Sequence, residues 1–289
     1  MGINLSEVKF AYYSPKKKKK HTIKYSLQDI NLKIDSKNEF IAIVGHTGSG
    51  KSTLVQLMNL LLLPTEGTTE IYNTTVTHKG IKNVKKIREK VGLVFQFPEY
   101  QIFEDTVLKD IMFGPKNYKI ENPEEVAKEA AKILGIENLL SKSPFALSGG
   151  QMRKVAIAGI LASKPEILIL DEPTAGLDPT AKKELLEFLS SLNKDLQKTI
   201  ILITHDMDVV AKYVNRVIVL KQGLIQYDGP KEELFKNEKV VKECNLDYPE
   251  VVKIMMKIKE KTGSDLDVYK YNIEDAYNEI VLKMGAKNE

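Results

Sequence analysis

Residues Gly45-His46-Thr47-Gly48-Ser49-Gly50-Lys51-Ser52 form the stretch that most limits what this chain can fold into. Just before it, Phe40-Ile41-Ala42-Ile43-Val44 is a short apolar run, the pattern of a strand buried on both faces. Just after it, Thr53 to Leu62 is predicted as a helix with Leu54, Leu57, Met58 and Leu61 on one face. Strand, glycine-rich turn and helix in that order make a phosphate cradle. The glycines let several N–H groups point inward, and the helix N-terminus adds partial positive charge. Lys51 is placed to reach β- and γ-phosphates, Ser52 to hold Mg²⁺, and Thr53 to cap an α-phosphate. The competing reading is a glycine-rich turn without a ligand, and the intact flanks together with Lys51-Ser52 weigh against it.

Composition narrows the setting. With 289 residues the chain can bury one large core and a smaller one. Its 43 basic and 39 acidic residues leave a formal charge of +4, too slight to argue for a nucleic-acid partner. A single cysteine, Cys244, excludes an internal disulfide and reads as a buried, inert thiol in a reducing compartment. The longest apolar run, Val155 to Ala162, falls far short of the roughly 20 residues that cross a bilayer. No basic region followed by an apolar core opens the chain, so a cytosolic location is expected, with any membrane role running through a partner.

Ahead of the phosphate loop, Ile3, Leu5, Val8 and Phe10, and then Ile30, Leu32 and Ile34, read as half-buried antiparallel strands. Lys16 to Lys20 between them is a run of lysines, expected as a solvated hairpin tip, with contact to an anionic membrane surface as the rival reading. Tyr12 and Tyr13 close the first strand, where an aromatic ring can stack on a base. Val91 to Phe95 is a further buried strand ending at Gln96, followed by an unusual polar and aromatic segment, Phe97 to Phe113. Pro123 to Leu134 is predicted helical, with Val126, Ala130, Ile133 and Leu134 inward. Leu147-Ser148-Gly149-Gly150-Gln151 then opens a helix from Met152 to Ala162, a second glycine-rich helix start able to meet an anion or simply to be capped by Ser148.

The apolar run Glu166 to Leu170 delivers Asp171 and Glu172 at a strand end, where ligands bind in parallel sheets. Gly176-Leu177-Asp178-Pro179 is a turn into a helix, and Thr199 to Thr204 is a buried strand ending at His205. Arg216 to Leu220 and Leu224 to Tyr227 pair across Gly223. Alternating strands and helices imply a parallel sheet wrapped in helices. After Gly229-Pro230 the pattern turns helical, at Pro230 to Lys236, Pro249 to Lys261 and Ile273 to Met284, with Val251, Ile254, Met255 and Ile258 at helical spacing. This tail carries no chemical motif and reads as a unit for packing or dimerisation, or as a helical cap.

In this order, the phosphate loop, Gln96, Leu147–Gln151, Asp171-Glu172, Ala175-Gly176-Leu177-Asp178 and His205 resemble the ATP-binding-cassette (ABC) ATPases over about residues 3–235. The stretch Val94-Phe95-Gln96-Phe97-Pro98-Glu99-Tyr100-Gln101-Ile102-Phe103, then Phe113-Gly114-Pro115-Lys116-Asn117 and Gln151 to Gly159, is similar to the ATPases of energy-coupling factor (ECF) transporters, importers of vitamins and transition metals. Phe97-Pro98-Glu99 and Gly114–Asn117 look like the second ATPase of the heterodimeric type.

The resemblance implies an α/β fold. An ABC-type nucleotide-binding domain over 1–235 would hold a parallel sheet core, an N-terminal antiparallel β subdomain and a helical subdomain at about 97–162, with a C-terminal helical extension over 236–289. It implies ATP and Mg²⁺ as ligands, with Tyr12 on the adenine and Gly45, His46, Thr47, Gly48, Ser49, Gly50, Lys51, Ser52 and Thr53 around the phosphates. Ser52 and Asp171 attend Mg²⁺, Gln96 contacts Mg²⁺ or the attacking water and links the site to the membrane partner, Glu172 is the general base, and His205 contacts the γ-phosphate. Leu147, Ser148, Gly149, Gly150 and Gln151 act on ATP held by the opposite subunit, and Asp178 reports across that interface.

The partners so implied are a second ABC ATPase subunit, identical or different, a transmembrane scaffold and a substrate-binding membrane subunit, with no nucleic acid. The expected place is the cytoplasmic face of the cell membrane. Rival readings are a cobalt or nickel importer ATPase, a soluble ABC ATPase of DNA repair or translation, and a nucleotide-binding switch without turnover. A single phosphate loop without a sustained heptad run disfavours the soluble class, and Glu172 disfavours the switch.

Overall fold

The computed structural model describes residues 2–13 and 23–284, so Lys16–Lys20 lies outside the described residues. From the N-terminus the elements are β1 (Ile3–Phe10), β2 (Leu27–Ile34), β3 (Phe40–Val44), α1 (Lys51–Met58), β4 (Glu66–Ile71), β5 (Thr74–Val76), α2 (Val84–Lys90) and β6 (Val91–Val94). There follow α3 (Val107–Tyr118), α4 (Pro123–Ile133), α5 (Gly149–Leu161), β7 (Ile167–Asp171), α6 (Pro179–Lys194), β8 (Thr199–Ile203), α7 (Met207–Tyr213), β9 (Arg216–Lys221) and β10 (Leu224–Pro230). The C-terminal part is helical: α8 (Lys231–Lys236), α9 (Glu238–Glu243), α10 (Glu250–Thr262) and α11 (Ile273–Met284).

Two sheets result. The first is antiparallel, in the order β2-β1-β4-β5, and the second runs β10-β9-β3-β8-β7-β6, parallel except for β10 at its edge. Every residue of β3, β6, β7 and β8 is buried, as strands covered on both faces require. Because side chains alternate between faces, each strand feeds two cores. Phe40, Ala42, Val44, Leu168, Leu170, Ile200 and Leu202 join the helices α3 to α7. Ile41, Ile43, Ile167, Ile169, Ile201 and Ile203 meet α1 and the antiparallel sheet.

Several helices differ from expectation. α1 begins at Lys51 and stops at Met58, short of Leu62. Leu60 adopts φ 57° and is buried, while the amides of Leu61 and Leu62 both bond to the Gln56 carbonyl. That left-handed stop turns Leu61 outward and ends the apolar face at Met58. In α4 the buried side is Ala127, Ala130 and Ala131, with Ile133 exposed, because small side chains allow close approach to neighbouring helices. In α10 Val252 and Met255 are buried, whereas Ile254 is exposed. Met255 forms a small separate core with Leu266, Val268 and Ala276, while Phe235 and Cys244 belong to the main core. Burial pushes the Cys244 thiol pKa up, which suppresses its reactive form.

Candidate functional site: a phosphate cleft at the sheet rim

The chemistry-bearing residues leave the parallel sheet at one edge, the C-terminal ends of its strands. β8 lies between β3 and β7. His205, two residues past β8, therefore emerges between the loop after β3 and the acidic pair at the end of β7. Gln96 follows β6 on the far side of β7. An open cleft of about 570 Å³ gathers Tyr12, Thr47, Gly48, Gly50, Lys51, Ser52, Thr53, Gln96, Asp171, Glu172 and His205, with Ser26 in addition.

Backbone geometry explains the glycines of the loop. Gly45 has φ 141°, and a Cβ there would fall 2.1 Å from the Leu220 carbonyl oxygen of β9. Gly50, the residue before α1, has φ 106°, and a Cβ would press within 2.8 Å of Leu27 Cδ2. Gly48 also has positive φ, yet its Cβ position meets nothing within 4 Å and faces the open cleft. Gly45, His46 and Ser49 do not line the cleft. Their part is to shape the loop: Lys51 Nζ donates to the carbonyls of Gly45 at 2.6 Å and His46 at 2.9 Å. The buried Ser49 anchors the loop through its carbonyl, which accepts from the Gly223 amide at 2.9 Å.

Electrostatics are unbalanced in a way that favours a ligand. Burial lowers the pKa of the half-buried Lys51 ammonium, against the pull of Glu172 and Asp171. Burial likewise raises the pKa of the Asp171 carboxyl, with the Ser52 hydroxyl opposing and Glu172 adding to the rise. Glu172 sits at φ 46°, unusual for a non-glycine residue, and its amide donates to the Ile203 carbonyl at 3.0 Å. His205 Nδ1 lies 3.4 Å from Glu172 Oε1, with the imidazole exposed at the cleft mouth. Tyr12 presents an exposed ring, held edge-on to Phe10 at 4.9 Å, while its hydroxyl meets Thr53 Oγ1 at 3.0 Å.

No group of three or more His, Cys, Asp or Glu side chains gathers into a metal cage among the described residues. Magnesium is usually held by one or two carboxylates together with phosphate oxygens and water. Asp171, sharing the cleft with Ser52 and Gln96, makes with them a donor set of that kind.

The second glycine-rich helix start lies elsewhere. None of Leu147, Ser148, Gly149, Gly150 and Gln151 lines the cleft of its own chain. Ser148 caps α5 in a reciprocal box: its Oγ accepts from the Gln151 amide, and Gln151 Oε1 accepts from the Ser148 amide at 3.1 Å. Ser148 and Gly149 remain exposed, and Gly150 approaches Leu177. Next to Leu177, Asp178 caps α6 by accepting from the Thr180 and Ala181 amides at 3.0 Å. The second glycine-rich helix start and the Asp178 turn thus lie outside the cleft, linked by the approach of Gly150 to Leu177.

Sequence reasoning missed Arg153. It is buried, donates to the carbonyls of Pro173 and Ala175, and faces Glu99. A signal existed: Arg153 shares the helix face of Ile157 and Leu161, both buried. A cation at a core position needs partners.

Comparison with known proteins agrees with this geometry. The family model described as "ABC transporter" matches residues 27–175. A second, described as "AAA domain, putative AbiEii toxin, Type IV TA system", matches residues 142–211. The energy-coupling factor transporter ATP-binding protein EcfA2 of Geobacillus kaustophilus (strain HTA426) is 48% identical over 82% of this chain and 83% of its own length. Its namesake from Bacillus subtilis (strain 168) is 46% identical, over 91% of this chain and 96% of its own. Among solved structures, cbiO1 from Clostridium perfringens, part of the ABC transporter complex cbiONQ, superposes with TM-score 0.71 at 37% identity, covering 84% of this chain and 94% of that one. A dimeric ATP-binding cassette in a post-hydrolysis state with ADP and Pi gives TM-score 0.69 at 31% identity, covering 79% of this chain and 98% of that one. With the cleft, the signature start and these relatives in agreement, the chain belongs to the ABC transporter ATPases, in the branch of energy-coupling factor transporter ATP-binding proteins.

Proposed function

We propose that this chain binds and hydrolyses ATP at the cytoplasmic face of a membrane, powering uptake of a vitamin or similar micronutrient through membrane partners. The observation that carries the reading is the convergence of Lys51, Ser52, Gln96, Asp171, Glu172 and His205 on one cleft, with Ser148 and Gly149 exposed outside it. Such a chain holds half of a reaction site, and a second ATPase subunit supplies the other half.

In this mechanism Tyr12 stacks on the adenine and the loop amides with Lys51 hold the phosphates. Lys51 exchanges two loop carbonyls for phosphate oxygens, which relieves a cation whose charged form burial disfavours. Ser52, Asp171 and Gln96 would hold Mg²⁺, which when bound neutralises developing charge on the phosphate oxygens. Glu172 takes the proton of the attacking water, and His205, beside it, donates toward the γ-phosphate. Ser148 and the amides at the start of the partner's equivalent helix complete the cradle and exclude water, so electrostatic stabilisation peaks only in the closed pair.

Coupling falls to the segment after Gln96. Phe97, Tyr100, Phe103 and Phe113 expose large rings beside an apolar cavity of about 250 Å³ that Phe95, Ile102 and Phe103 help to line. A transmembrane scaffold docked there would feel closure of the cleft through Gln96. No helix of the described residues is long and apolar enough to cross a membrane, and in this reading such a subunit provides the attachment. Reconstituting the chain with a second ATPase and the membrane subunits tests the reading. ATP-dependent uptake that vanishes with Lys51→Ala supports it, and uptake indifferent to that substitution contradicts it. The rival reading, a cobalt or nickel importer ATPase, is separated from this one by a substrate screen on the same vesicles.

A further inference from the structure

Arg153 touches three parts of the molecule that the nucleotide cleft leaves unconnected. It stands at the start of the second turn of α5, two residues after Gln151. Nη1 donates to the Pro173 carbonyl at 3.2 Å and also to the Ala175 carbonyl. Those two carbonyls belong to the loop that runs from Glu172 to the Asp178 cap. Nη2 faces Glu99 Oε2 at 3.7 Å, and Glu99 lies in the 3-10 turn Pro98–Gln101, flanked by the exposed Tyr100.

The guanidinium is only partly used. Among the described residues its Nε has no acceptor, and the buried Glu99 Oε2 has no hydrogen-bond donor. A separation of 3.7 Å is a charge contact and not a hydrogen bond. Arginine and carboxylate reach their strongest arrangement when two parallel N–H groups meet two oxygens. A bidentate arrangement lies within about an ångström of the one seen, and a shift of the Glu99 turn toward α5 would close the gap.

We propose that Arg153 is a positioning residue that passes movement of the docking turn at Glu99 to the Pro173–Ala175 backbone, and through it to Asp178. A partner seated on Phe97, Tyr100 and Phe103 pushes Glu99 inward, and the loose contact becomes bidentate to Nε and Nη2. Arg153 then has its Nη1 fixed on the two carbonyls and its remaining edge fixed on Glu99. The start of α5, with Ser148 and Gly150, and the Asp178 turn are held in one orientation toward the opposite subunit. Without docking the fork is half free, and the two interface elements are less firmly set. Lysine keeps the charge at this position but lacks the fork, so it breaks the relay without emptying the site of charge.

The inference rests on the importer reading above, and one experiment separates the two. Uptake and ATP turnover are measured together in vesicles holding the complete complex with wild type, Arg153→Lys, Glu99→Gln and the double variant. Each single substitution is expected to lower transport per ATP hydrolysed by about tenfold, and the double no further than the worse single. The KM for ATP should stay within about twofold of wild type, since neither side chain lines the nucleotide cleft. Multiplying losses in the double variant would overturn the relay, as would an unchanged transport-to-hydrolysis ratio accompanied only by a lower melting temperature. Should Arg153→Lys fail to fold, Glu99→Gln alone decides, and an unchanged ratio there overturns the proposal. Wild-type complexes that hydrolyse ATP without any uptake would instead remove the importer reading, and the relay with it.

Discussion

His205 Nδ1 stands 3.4 Å from Glu172 Oε1 at the mouth of the cleft. The contact exists because β8 lies between the strand carrying the phosphate loop and the strand carrying the acidic pair. Glu172 is held in a left-handed backbone conformation by its amide bond to Ile203, the last residue of β8. Glu172 and His205 are thus placed by sheet order and not by a flexible loop.

Replacing Glu172 tests the general-base role proposed for it. Glu172→Gln should slow hydrolysis in the assembled complex by roughly a hundredfold or more, with ATP affinity retained, because loss of a general base costs about that much. Single-turnover hydrolysis beside a nucleotide-binding titration gives the answer, and wild-type turnover would remove Glu172 from the role.

The loop glycines should divide sharply. Gly45→Ala drives a methyl into the Leu220 carbonyl and should abolish folding or cost several kcal/mol. Gly48→Ala meets open space and should cost only about 1–2 kcal/mol for its backbone conformation. Urea denaturation of the two variants checks the contrast, and equal losses would contradict the loop geometry.

Burial of the charged groups in the cradle works against the fold. The folded pKa of Asp171 is raised above 3.8 by burial, so above that pH the native state keeps a proton the unfolded chain has released. Stability then falls as pH rises through that window. Lys51 has its pKa lowered from 10.5 by burial, so stability rises with pH between its folded pKa and 10.5, where the unfolded chain binds the extra proton. Asp171→Asn should therefore raise the ligand-free melting temperature at neutral pH by a few degrees while weakening Mg²⁺-dependent nucleotide binding. Calorimetry with and without Mg²⁺-ATP measures both.

Much of this site was legible because phosphate chemistry leaves local marks. Gly45–Ser52 and Asp171-Glu172 each follow an apolar run, and both runs are buried strands, the second extending to include Asp171 itself. What escaped depends on contacts distant in sequence. Arg153 finds its partners in the Glu99 turn and the Pro173–Ala175 loop, which no local pattern joins. Leu60 stops α1 by a left-handed turn that its own residue type disfavours and only the buried core beneath it justifies. α9 went unread because its six residues, Glu238–Glu243, carry too short an apolar pattern, with Val241 alone buried.

The docking segment makes a separate claim. Phe103, whose ring stands edge-on to Phe113 at 4.8 Å beside the apolar cavity, should be indispensable for coupling. Phe103→Ala is expected to leave ATP binding intact and lower uptake by about tenfold or more, as truncation of a central aromatic anchor does. Uptake and turnover assayed on the same vesicles decide it, and equal loss of both would sink the coupling role.

The central claim is that this chain holds half of a site. The most direct measurement compares ATP affinity and ATP turnover of the isolated chain with those of the chain assembled with its second ATPase and membrane subunits. The predicted result is similar affinity in both and turnover at least about a hundredfold higher in the assembly, the size of effect expected when a set of transition-state donors is supplied from outside. Equal turnover by the isolated, monomeric chain would contradict the account.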